Sequence, residues 1–270
     1  MTNIQRNEID NVFAASGVEF DKWANLENLN NSERHIINKY FQPEKSMVEA
    51  GTGGGRIVIE MHELGFTNLT GFDLIPEMIE AANRRKGDIN IKFDVEDATC
   101  LSYPSESFDQ AFYSQQIMSI IPGEENRMAA FTEAARILKP NGIIAFGLLC
   151  FDVRVQKKWY LPYLAYLSLF RKLTGSNKPI QSIPWLIHDR KPQLSAFLDN
   201  GDQIYWYKLE EIVQIFHKIG LELVSLGTRQ QIEAGFMCES LEEISKLKMD
   251  GALYLVARKN RLFTNSFIST

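Results

Sequence analysis

The 270-residue chain lacks any apolar run near the ~20 residues that cross a bilayer; its longest, residues 143–151 and 159–170, fall well short. Cysteine is scarce: Cys100, Cys150 and Cys238 share no metal-type spacing and cannot build a disulfide framework, which fits a reducing compartment. The only histidines are His35, His62, His188 and His217, and no Cys/His/Asp/Glu set has ligand spacing, so no metal is expected. Positive charge is in deficit, 29 Lys and Arg against 34 Asp and Glu, which removes the general case for nucleic-acid binding. The first eight residues are polar and have no signal-peptide core. A cytoplasmic protein is expected, with contact to a membrane surface left open and the oligomeric state undetermined. Residues are 45% apolar and 23% charged, the balance of one globular domain or of one domain with an insertion.

Charge is unevenly distributed. Residues 1–150 carry 13 basic and 22 acidic side chains, whereas 151–270 carry 16 and 12. Between Asp152 and Lys191 there are eight basic residues against two acidic, and residues 151–207 hold eleven aromatics, including three of the four tryptophans. The first half alternates β-rich runs (46–50, 68–73, 89–95, 108–114 and 143–149) with helical patterns after Arg56, Pro76 and Glu124, the mark of a parallel sheet with crossover helices. Lys139-Pro140-Asn141-Gly142 is expected to be a turn ending the third of these helices. A helix over 209–219 and a strand pair over 221–226 and 252–257 follow. Domain organisation is accordingly 1–151, an insertion over 152–205, and 206–270 returning to the core.

Glu49-Ala50-Gly51-Thr52-Gly53-Gly54-Gly55-Arg56 lies between the first strand and the first crossover helix. Glycine there lets a ligand approach the backbone, although a tight strand-to-helix turn would need the same residues. A dinucleotide fingerprint requires glycine where Arg56 stands, and no Gly-Lys-Ser/Thr follows, so both NAD and P-loop patterns fail.

Val48 to Gly55 resembles the first motif of class I S-adenosylmethionine-dependent methyltransferases. The resemblance continues through Gly71-Phe72-Asp73-Leu74, Asp97-Ala98-Thr99-Cys100-Leu101, Ser107 to Ala111 and Ala135 to Ile143, motifs in order over roughly 130 residues, a spacing that composition alone does not generate. Phe20-Asp21-Lys22-Trp23-Ala24 is similar to the aromatic-Asp signature preceding the first motif. The resemblance implies an α/β, Rossmann-like seven-stranded methyltransferase sheet with flanking helices, and an α-rich lid inserted after strand five. It also implies S-adenosylmethionine as cofactor, held by Phe20, Glu49, Gly51, Gly53, Gly55, Asp73, Leu74, Asp97, Ala98, Ser114 and Gln115. In the family the Asp73 position accepts from the ribose hydroxyls, and the Asp97 and Ala98 positions meet the adenine amino group and a ring nitrogen.

Tyr113-Ser114-Gln115-Gln116 departs from the Asn/Asp-Pro-Pro-aromatic element of nucleic-acid amino methyltransferases, and Met118 and Ser119 stand where many small-molecule members carry histidine. Methyl transfer from a sulfonium needs mainly alignment, with a base only for a protonated nucleophile. His188, beside Asp189, and Tyr113 are the candidate bases. Trp159, Tyr163, Trp185, Trp206 and Tyr207 are the candidate walls of a substrate pocket. The reading is an enzyme that methylates O or N of a small, largely apolar or aromatic metabolite. The alternatives are a lipid or quinone methyltransferase at a membrane surface and a non-catalytic S-adenosylmethionine-binding module.

Overall fold

Parallel strands flanked by helices on both faces must be apolar throughout, and that requirement organises the chain between Met47 and Leu148. In this computed structural model the described residues are 17–188, 191–200 and 203–261; for 17–20, 187–188 and 191–192 only the backbone is described. Two helices, α1 (Gly17–Asn25) and α2 (Asn31–Tyr40), precede β1 (Met47–Ala50). Asn30 caps α2: its side chain accepts from Glu33 N at 2.9 Å, and Glu33 accepts from Asn30 N at 2.9 Å. Then follow α3 (Arg56–Glu63), β2 (Leu69–Asp73), α4 (Pro76–Lys86), β3 (Lys92–Val95), β4 (Phe108–Tyr113), the short α5 (Ile117–Ile120), α6 (Glu124–Ile137) and β5 (Leu138–Leu148).

These strands, with β10 (Leu221–Thr228) and β11 (Leu253–Lys259), form a seven-stranded sheet in the order β10-β11-β5-β4-β1-β2-β3. β1 to β5 pair in parallel, while β11 lies antiparallel between β5 and β10. All four residues of β1 are buried. Side chains alternate between two cores: Val48, Ala111, Tyr113 and Phe146 pack with α6 and α9 (Leu209–Lys218), and Met47, Phe112 and Ala145 pack with α2 and α3.

Two expectations need correcting. The third strand begins at Lys92 rather than Ile89, because Ile89 N still bonds back to Lys86 O at 3.1 Å, closing a turn after α4. Lys139 to Gly142 ends no helix on its own: α6 stops at Ile137, and Leu138 already pairs with Phe108. The four residues form a bulge within β5, where the register jumps from Phe108↔Leu138 to Gln110↔Ile143 and Asn141 takes φ 62°. Proline is tolerated in a strand at such a bulge because no ladder bond is required of its nitrogen.

Between β5 and α9 come α7 (Phe151–Gln156), a 3₁₀ turn at Lys158–Tyr160, α8 (Leu161–Thr174), β6 (Ser182–Pro184), β7 (Ile187–His188), β8 (Lys191–Pro192), a second 3₁₀ turn at Leu194–Leu198, and β9 (Gln203–Tyr205). This segment is therefore mixed: β6 pairs with β9 and β7 with β8, both antiparallel. It has its own apolar cluster of Phe151, Tyr160, Leu164, Ile183, Ile204 and Trp206. α8, apolar nearly all round in sequence, buries Leu164 and Leu167 and leaves Leu169 and Leu173 in solvent. Arg171 is the polar centre: it donates to both carboxylate oxygens of Asp199, at 2.9 and 2.6 Å, and to the carbonyls of Pro179 and Ser182 at 2.5 and 2.6 Å. The remaining elements are α10 (Arg229–Glu233) and α11 (Leu241–Ser245), between β10 and β11.

Candidate functional site

The sheet delivers its unusual residues to one edge. At the carboxyl ends of β1, β2 and β4, and in the loop after β3, Gly51, Gly53, Asp73, Leu74, Asp97, Ala98, Gln115 and Ile117 stay partly exposed beside fully buried strands. Ligands of open α/β sheets sit beyond this edge. Gly51, Gly53 and Gly55 take φ of 62°, 53° and 78°, the left-handed region that only glycine enters cheaply. Some of that need is internal. A Cβ on Gly51 would lie 2.2 Å from Ile117 Cδ1, and one on Gly54 would lie 2.0 Å from the carbonyl oxygen of Ala24. Gly53 keeps the most open face, its nearest neighbour being Trp23 O at 3.4 Å.

Asp73 closes β2 and grips the glycine loop. Its Oδ2 accepts from Gly53 N at 2.9 Å and its Oδ1 from Ile75 N at 3.1 Å. Burial pushes its carboxyl above the usual range, and the amides pull it back. Glu49 lies beneath the loop, buried, and accepts from Thr52 Oγ1 at 2.7 Å. Burial raises its pKa to about 8. It faces the chain interior, so its contribution to the edge is made through the loop it supports. After β3, Asp97 Oδ1 accepts from Thr99 N and Thr99 Oγ1 at 2.9 and 2.8 Å. Among the described residues Asp97 Oδ2 and the Ala98 N–H make no hydrogen bond. Phe20 lies in α1, its side chain outside the described residues.

Ser114 and Gln115, expected to face the cofactor, turn instead to Glu33. Ser114 Oγ donates to Glu33 Oε1 at 3.2 Å and Gln115 Nε2 donates to the same oxygen. Glu33, fully buried on α2, also accepts from Arg56 Nη1 and Nη2 at 2.6 and 2.8 Å. The cause lies in the backbone: Gln115 and Gln116 both take positive φ, 52° and 60°, folding the chain sharply after β4 before α5 starts. Two successive non-glycine residues there cost roughly 1–2 kcal/mol each. Glu33 was missed in the sequence although Asn30-x-x-Glu33 is a legible capping box; nothing in the spacing announces its link to Arg56 and Gln115.

Other expectations are revised as well. Tyr113 is 0% exposed among Phe72 and Phe146, its hydroxyl unpartnered among the described residues, and burial drives its pKa far up. A base must meet its proton, and Tyr113 faces the core. Tyr207 is likewise buried and donates to Met118 O at 2.8 Å, anchoring α5 rather than lining a pocket. His188 belongs to β7, and its side chain and Asp189 lie outside the described residues. Tyr163 is half-buried and donates to Ala196 O at 3.1 Å. Trp159 and Trp185 are exposed, at 69% and 44%, and Trp206 is buried under the Arg154 guanidinium, 3.9 Å from its ring centre. The structure thus gathers the glycine loop, Asp73 and Asp97 at one edge but divides the expected pocket aromatics between core, insertion cluster and solvent. A groove of about 240 Å³ between α6 and α9, lined by Arg127, Phe131 and Glu211 among others, includes none of the edge residues.

Residues 48–146 match the methyltransferase-domain family. The chain is 28% identical over 127 residues to human EEF1A lysine methyltransferase 2, an alignment covering 44% of this chain and 54% of that protein. It is 30% identical over 105 residues to 27-O-demethylrifamycin SV methyltransferase of Amycolatopsis mediterranei, covering 37% of each. The chain thus spans about half, or less, of the length of these relatives. In structure it is similar to an S-adenosylmethionine-dependent methyltransferase of Methanosarcina mazei, with a TM-score of 0.59 at 20% identity over 87% of this chain and 99% of the other.

Proposed function

Given that residues 48–146 are a methyltransferase domain on the class I S-adenosylmethionine-dependent fold, we propose that this chain transfers a methyl group to O or N of a small, largely apolar or aromatic metabolite. The observation that carries the reading is the pair of polar groups after β3 that have no partner among the described residues. Asp97 Oδ2 and the Ala98 N–H together offer an acceptor and a donor, the complement of adenine's amino group and neighbouring ring nitrogen. Asp73, half-buried with each oxygen on one amide, retains lone pairs for a ribose diol. The open face of Gly53 admits the methionine portion.

S-adenosylmethionine supplies an electrophilic methyl group. The chain's own task is alignment and exclusion of water, with the acceptor's proton leaving to solvent or to a base in the insertion such as His188. The small-molecule acceptor is favoured by the aromatic insertion, placed where an acceptor would meet the edge residues. The similar proteins are of several kinds by name: an EEF1A lysine methyltransferase, a 27-O-demethylrifamycin SV methyltransferase and a 2-methyl-6-phytyl-1,4-hydroquinone methyltransferase. A second reading, an acceptor taken from a membrane surface, draws on Leu169, Leu173, Leu194 and Leu198, exposed together with Lys158 and Lys172.

Calorimetry with S-adenosylhomocysteine tests the cofactor half. Asp73→Ala and Asp97→Ala are each expected to weaken binding by about 1.5–3 kcal/mol, the scale of a charge-assisted hydrogen bond. Wild-type affinity in both variants would refute the assignment. Labelled-methyl transfer across metabolites, protein lysates and liposome-borne acceptors discriminates the acceptor classes.

A further inference from the structure

Among the described residues, every half-buried or buried guanidinium but one has an oxygen partner. Arg56 pairs with Glu33, Arg136 with Glu133 and Arg171 with Asp199, while Arg85 reaches Leu26 O at 2.6 Å and Arg127 reaches Ile121 O at 3.5 Å. Arg154 is the exception. Its Nε is buried with no hydrogen-bond partner, and no carboxylate among the described residues pairs with it. Its guanidinium carbon lies 3.9 Å from the ring centre of Trp206 and 4.8 Å from that of Tyr160, one ring from each end of the insertion. The residue sits on α7, which starts three residues after β5 ends, on the carboxyl edge where the methyl acceptor would bind.

A cation partly withdrawn from water without an anion costs desolvation that the two rings offset only in part. Packed against both rings, the guanidinium is restrained in orientation, and its two Nη groups can offer parallel hydrogen bonds to an oxyanion. The other cations of the insertion among the described side chains are differently placed: Arg171 and Lys178 pair with Asp199, Lys157 pairs with Asp250, and Lys158 and Lys172 are exposed.

We propose that Arg154 is a specificity residue that recognises an oxyanionic group, carboxylate or phosphate, on an aromatic methyl acceptor, with Trp206 and Tyr160 fixing its fork. This rests on the methyltransferase reading above. The test uses the full chain and three probes of one shape, benzoate, phenyl phosphate and benzamide, followed by calorimetry with and without S-adenosylhomocysteine. Wild-type protein is expected to bind one of the anions at least about tenfold more tightly than benzamide, the scale of a charge-assisted bond; which anion wins distinguishes carboxylate from phosphate. Arg154→Met, which keeps the stem between the rings, should lose that preference, and Arg154→Lys should keep charge but lose most of it, with S-adenosylhomocysteine affinity unchanged in both. If Arg154→Met does not fold, the Lys variant alone decides. Equal affinity for charged and neutral probes, no saturable anion binding, or a preference that survives both substitutions overturns the proposal. Failure to bind S-adenosylhomocysteine would instead count against the methyltransferase reading, because the anion titrations without it stand separately.

Discussion

Between Met47 and Leu148, only Leu64, Val95 and Ile120 are large apolar residues left exposed; among the described residues between Phe151 and Tyr205 there are ten, Leu173 and Leu194 at 77% and 78% among them. Each region supplies the arginine of a buried bidentate arginine–carboxylate pair, but the pairs serve different ends. Arg56–Glu33 also receives Ser114 and Gln115 and so joins α2 to the turn after β4. Arg171–Asp199 draws in carbonyls of its own segment, reinforcing an apolar cluster that numbers six buried residues among those described. The sheet region uses its hydrophobic surface to define itself; the insertion holds its shape with a polar staple and leaves hydrophobic surface for something else to cover.

The sharpest way to break the comparison is removal of the insertion. Replacing residues 154–203 by a short Gly/Ser linker is expected to abolish turnover while S-adenosylhomocysteine affinity stays within a few fold, because the edge residues all precede β5. Turnover in a folded deletion variant would mean that the insertion does not serve catalysis.

Next in size is Arg171→Met. Leaving Asp199 buried with only Gln203 and the more distant Lys178 as partners should cost up to about 3–5 kcal/mol, felt locally. Limited proteolysis is expected to cut within 158–203 at protease levels that spare wild type, while the sheet melts near its wild-type temperature. A common loss of both would show that the two regions are one cooperative unit.

A smaller effect distinguishes the sheet side. The raised Glu49 carboxyl binds a proton more tightly folded than unfolded, so its contribution is fully present below the ordinary carboxylate pKa and is lost as pH rises toward about 8. Urea denaturation of wild type should therefore show stability falling with pH between about 5 and 8, and Glu49→Gln should flatten that slope. An unchanged slope would place the titration elsewhere. Smallest of all is the response to chelation: among the described residues no group of three or more His, Cys, Asp or Glu could hold a metal. EDTA should leave methyl transfer unaltered, and a loss restored by Mg²⁺ would contradict that.

Legibility followed the locality of the physics. The alternation of apolar runs with helical patterns, the glycine loop and the acids ending β2 and following β3 are written in neighbouring residues, and the strands of the seven-stranded sheet lie within about five positions of where they were expected, whereas the four short strands of the insertion, expected to be α-rich, were not foreseen. Pro140 misled because proline after a helix usually signals a turn, while here a β-bulge accommodates it. Ser114 and Gln115 misled because their direction depends on Glu33, some eighty residues earlier, and on two left-handed glutamines that no propensity favours. In the insertion, composition announced aromatic and basic character, but Trp159 in solvent, Trp206 under Arg154 and Tyr207 in the core carry the same local signal.

The position of β11 has a consequence for how the molecule is made. β11, the last strand among the described residues, is an interior one, between β5 and β10, and Lys259 at its end reaches back to Leu138 O at 2.7 Å. A chain growing from its amino end therefore carries β5 with one ladder edge open while more than a hundred further residues are added. That edge is a template for pairing with a neighbouring nascent chain until residues 253–259 arrive to close it.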